Sequence, residues 1–157
     1  MSASDGVRMA ANETVPTRRP AGAADRLLKY AAFGYAIGMA VHGSDHALRG
    51  LTVDHHHAVW PGGVQIVMAM LTVALSALIL TLVLSRQRRA PIAAIVIGFG
   101  SAAIFLLIHM LPAWGYNDSF VSAGSDARIT AFSWVTAVVG ISAALLLGFA
   151  GLRARHR

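Results

Sequence analysis

Residues 27–49 read LLKYAAFGYAIGMAVHGSDHALR: from Leu27 to Val41 Lys29 is the single charge, and then His42, Asp45 and His46 follow with no proline between them. Fifteen helical residues rise only about 22 Å, which falls short of the ~30 Å hydrocarbon core of a bilayer. A helix built on this segment reaches the far side only by carrying His42, Asp45 and His46 into or against the membrane. Intramembrane ionisable groups are costly and face a bundle interior in most membrane proteins. The segment therefore predicts a span and a site together.

Working outward, three further apolar segments follow, 62–84, 92–111 and 129–152, and with 27–48 each approaches the ~20 residues that cross a bilayer. Short connections make consecutive helices antiparallel neighbours. The expected fold is thus all-α, a four-helix transmembrane bundle running up-down-up-down over residues 27–152. Pro91 falls in the first turn of the third span, where its missing N–H costs nothing, and Pro112 ends that helix. Residues 1–26 lack an apolar run and read as a disordered basic tail. Residues 153–157 form a short basic tail at the other end.

Eleven of the 13 Lys and Arg residues lie in three clusters, at 8–29, 86–89 and 153–157. Basic residues near span ends favour the cytoplasmic side, so both termini are expected in the cytoplasm and the two remaining connections, 49–61 and 112–127, outside. Trp60, Trp114 and Trp134 fall near the outer ends of their spans, where indole rings favour the interface. This topology accounts for the pI of about 11.1, and the expected partner is the lipid bilayer, with no role for nucleic acid. A preference for Arg over Lys points to a bacterial inner or plasma membrane. The chain contains no cysteine, so metal chemistry requires His, carboxylate or Met ligands.

Small residues at helical spacing mark close helix contacts in lipid: Gly34 and Gly38 on the first span, Gly98 and Ala102 on the third, Gly140, Ala144 and Gly148 on the fourth. Followed outward at 100° per residue, the faces lead to His42 and His46, to His109, and to Ser133 and Thr136, while the second span begins with Gln65 and Met68. Gln65, Met68, Ser133 and Thr136 are therefore expected to line a polar pocket. His42 and His46 share a helix face, Asp45 is near enough to ligate or to orient a ring, and His109 supplies a third imidazole. Three such ligands with one open position suit copper or zinc. The run His55, His56, His57 in the first outer connection is expected to cap or feed that site.

Two other readings remain open at this point. His42 and His109 could serve as the axial ligands of a haem b, or the chain could be a non-catalytic accessory subunit of a larger membrane complex. A homodimer through the Gly34 and Gly38 pair is also compatible with the pattern. No nucleophile elbow, phosphate loop or paired carboxylate argues for an enzyme.

Overall fold

A computed structural model describes residues 22–52, 62–112, 119–121 and 129–156. The described residues form four helices and no strand: α1 Ala23–Thr52, α2 Gly62–Leu84, α3 Ala90–Phe105 and α4 Ala131–Arg155. α3 continues through a π-helical turn, Leu106–Met110. Ile66–Leu84, Ala90–Met110 and Ala131–Arg155 are each long and apolar enough to cross a membrane, with mean hydropathies of 2.6, 2.4 and 2.2. These three helices mark the chain as a membrane protein. α1 is the longest helix, but its composition keeps it out of that set. The cause is its C-terminal half, where His42, Asp45, His46 and Arg49 follow the apolar run.

Local chemistry sets the helix ends. α1 starts ahead of Leu27, so the tail boundary expected at residue 26 cuts into its first turn. Asp25 lies in that turn and accepts from the Gly22 backbone N–H, where a carboxylate meets the positive end of the helix dipole. α2 ends in a Schellman arrangement: Gln87 N–H donates to Leu82 O, Arg86 N–H donates to Val83 O, and Arg86 takes a left-handed φ of 52°. Pro91 sits in the first turn of α3. Leu111, held extended by the following Pro112, closes the π-helical turn. Thr130 and Ser133 cap α4 reciprocally.

α4 is the hub of the molecule, with α3 and α1 packed along it. Both neighbours run antiparallel to it: Gly98 lies against Ala144 and Gly148, Pro91 against Gly151, and Gly38 against Val139, Gly140 and Ala143. Gly98 has to be glycine, because a Cβ there would strike the backbone of Gly148 and the Ala144 carbonyl. The smooth faces at Gly140 and Gly148 receive the rings of Phe105 and Phe99. Gly34 departs from the expected contact. A Cβ at this position would meet nothing within 4 Å, so the first glycine of the pair lies beside the α1–α4 seam rather than in it. α2 is peripheral, with 6% of its apolar window buried against 44% for α4, so most of its surface is left for lipid.

Candidate metal centre

Three imidazoles meet where α1 and α3 end and α4 begins. His42 is buried and its Nε2 lies 2.9 Å from Nε2 of His46 and 3.2 Å from Nε2 of His109. One ligand nitrogen from each ring falls within 4.8 Å of the others. His42 and His46 reach this point because they are four residues apart on one helix face. His109 arrives from the π-helical turn of α3, whose geometry is common at functional sites. The carbonyl of His109 accepts from Phe120 N–H at 2.9 Å, which satisfies one acceptor at the frayed helix end.

Hydrogen bonding alone does not account for this convergence. An imidazole nitrogen offers one proton or one in-plane lone pair, and Nε2 of His42 faces two other ring nitrogens. A cation among the three nitrogens would use all three lone pairs. Around a tetrahedral ion with metal–nitrogen bonds of 2.0–2.1 Å, ligand nitrogens stand about 3.3 Å apart. The two separations from His42, 2.9 and 3.2 Å, both lie just below that spacing.

The surroundings of His42 favour the form that binds metal. Thr136 donates its hydroxyl proton to the Ser133 carbonyl at 3.0 Å, leaving a lone pair toward His42 Nδ1 at 3.4 Å. That arrangement places the ring proton on Nδ1 and the lone pair on Nε2. Aromatic rings wall the site. Phe105 packs on His42 with centroids 4.4 Å apart, and Phe120 packs on His109 at 4.8 Å. Both phenylalanines are buried.

Asp45 stands apart from the ligand cluster. Its Oδ2 accepts from Arg49 Nε at 2.9 Å and its Oδ1 from Ser133 Oγ at 2.7 Å. The carboxylate, 2% exposed, is thus held by an arginine on its own helix and by the first turn of α4, where the helix dipole favours negative charge. Both carboxylate oxygens are thus engaged by Arg49 and Ser133, and Asp45 is not among the three residues whose ligand atoms cluster. Arg49 in turn lies over the ring of Phe120, 5.3 Å from the centroid, and places a guanidinium nitrogen 3.3 Å from His46 Nδ1.

Of the pocket residues expected from sequence, Ser133 and Thr136 touch the centre through Asp45 and His42. Met68 is half-buried on α2, where its carbonyl accepts from Thr72. The side chain of Gln65, and His55, His56 and His57, lie outside the described residues. Arg49 and Phe120 are participants that sequence reasoning did not assign. An arginine one turn beyond a buried aspartate was the available signal for the first; nothing local marked the second. No protein-family model matches the chain, and no curated protein or solved structure matches it either.

Proposed function

We propose that this chain is a small integral membrane protein that binds a transition metal, copper or zinc, through His42, His46 and His109 at the extracytoplasmic end of its bundle. The observation that carries this reading is the meeting of three imidazole nitrogens from two helices within 4.8 Å of one another. Neutral imidazoles suit both metals, and three of them leave a fourth position open for water, a transferred ligand or a residue from the His55–His57 segment. Asp45, Ser133 and Thr136 act as the positioning shell. In this reading the protein holds or passes on the ion and is not an enzyme.

The geometry favours this over a bis-histidine haem. Axial nitrogens on opposite sides of one iron would stand about 4 Å apart, twice a metal–imidazole bond, with a porphyrin between them. Here the His42 and His109 nitrogens are 3.2 Å apart, and the glycine faces on α4 that would receive a macrocycle are filled by Phe105 and Phe99.

The test is elemental analysis with an absorption spectrum on untagged, detergent-purified protein, beside the His42→Ala/His109→Ala double variant. About one equivalent of copper or zinc is expected, absent from the variant, with no Soret band. Equal metal content in both proteins would overturn the assignment. Protein that stays metal-free after reconstitution, and that copurifies with a larger assembly, would establish the accessory-subunit reading instead.

A further inference from the structure

At the opposite end of the molecule from the histidines, a groove of about 900 Å³ runs between α1 and α4. Ala31, Gly34 and Ala143 contribute small surfaces to it, Leu146 and Phe149 contribute apolar walls, and Arg153 lines one end. The open space at the Gly34 Cβ position means that backbone itself forms part of the floor. On α4 the lining runs from Val138 to Arg153, an axial distance of roughly 22 Å. Half of a hydrocarbon core is about 15 Å. The groove is therefore longer than one leaflet is thick, running inward from the level of Arg153.

Its charge distribution is one-sided. Arg153 is exposed at the end of the groove, Tyr30 is 69% exposed in the lining, and exposed Arg26 sits one turn before Tyr30 on the same helix face. Lys29 is the residue immediately before Tyr30. Tyrosine and long basic side chains are the groups that settle at the headgroup level. An apolar channel of that length with the Arg153 guanidinium at its end matches a phospholipid, acyl chain inward and phosphate outward.

We propose that this groove is a binding site for one anionic phospholipid, its chain along Gly34 and Ala143 and its phosphate at Arg153. A second copy of the chain fits less well. Symmetric pairing through this face would bring Arg26, Lys29 and Arg153 of both copies together, and like charges near a low-dielectric medium repel. An anionic headgroup neutralises the same cluster.

The experiment is native mass spectrometry of the full chain, released from neutral detergent after incubation with an equimolar mixture of phosphatidylglycerol and phosphatidylcholine. One phosphatidylglycerol per chain should be retained, several-fold over phosphatidylcholine. Gly34→Phe, which fills the floor, should lose the bound lipid while keeping its unfolding midpoint. Arg153→Gln should keep a lipid but lose the preference for the anionic one. Equal retention of the two lipids by the unaltered protein overturns the proposal, as does a Gly34→Phe variant that retains lipid. Loss of a dimer instead of a lipid in that variant would assign the groove to a second copy. Should Gly34→Phe fail to fold, Arg153→Gln still decides through the headgroup preference.

Discussion

His42 is poised as a ligand because Thr136 has already committed its own proton to Ser133, so the ring meets an acceptor at Nδ1. Thr136→Val keeps the shape and removes that acceptor. Metal affinity should fall about 10- to 100-fold, the range for lost partners of metal-ligating histidines, as read by competition with a chromophoric chelator. Arg49 acts in the opposite sense. Its guanidinium lies 3.3 Å from His46 Nδ1, and a fixed positive charge there disfavours a second cation. Arg49→Gln should therefore tighten metal binding in the same competition assay while lowering the stability of the metal-free protein, since buried Asp45 loses its ion pair. Weaker binding by Arg49→Gln would mean that the arginine organises the site rather than opposing its ion. Histidine spacing on α1 made half of this site legible in the sequence. The division of labour within it was not, because the role of Asp45 depends on Ser133, 88 positions away, and that of Phe120 on a connection folding back over His109.

Elements show where a motif is insufficient. Gly34 and Gly38 have the spacing of a packing pair, yet a Cβ on Gly38 would lie 2.9 Å from Ala143 Cβ while one on Gly34 would meet nothing. Periodicity gives the face of a helix; it does not say on which side of that face the neighbour lies. The helices themselves were readable because hydropathy fixes length and turn chemistry fixes ends, down to Pro91 and Pro112. The π-helical turn was not, since Leu106–Met110 has no proline or glycine to announce a change of hydrogen-bond register. These contacts set the expected response to substitution. Gly98→Ala should destabilise the bundle by about 1–3 kcal/mol, the cost of overpacking against backbone that cannot yield. Gly34→Ala should stay within about 0.5 kcal/mol of the parent. Chemical unfolding in mixed micelles measures both, and equal losses would contradict the asymmetric seam described here.

Topology is a property of the whole chain, and it turns on α1, the helix whose composition is least membrane-like. α1 runs beside α4 from Leu27 near Arg153 to Asp45 against Ser133. The stretch of α4 between Ser133 and Arg153 is about 30 Å long, the thickness of a hydrocarbon core. A helix antiparallel to a spanning helix over that full length crosses the same layer, whatever its mean hydropathy. Its polar residues are tolerated because they are satisfied inside the bundle: among the described residues no buried side-chain nitrogen or oxygen lacks a hydrogen-bond partner. With four crossings the number of spans is even, so both termini should emerge on one side. The basic clusters at 8–29, 86–89 and 153–157 predict that this side is the cytoplasm. Were α1 to lie along the surface, three crossings would put the termini on opposite sides. Epitope tags at the two ends, probed with protease in right-side-out and inverted vesicles, separate these cases. Both tags should be protected in the first preparation and cleaved in the second; opposite behaviour of the two would remove α1, and with it His42 and His46, from the membrane.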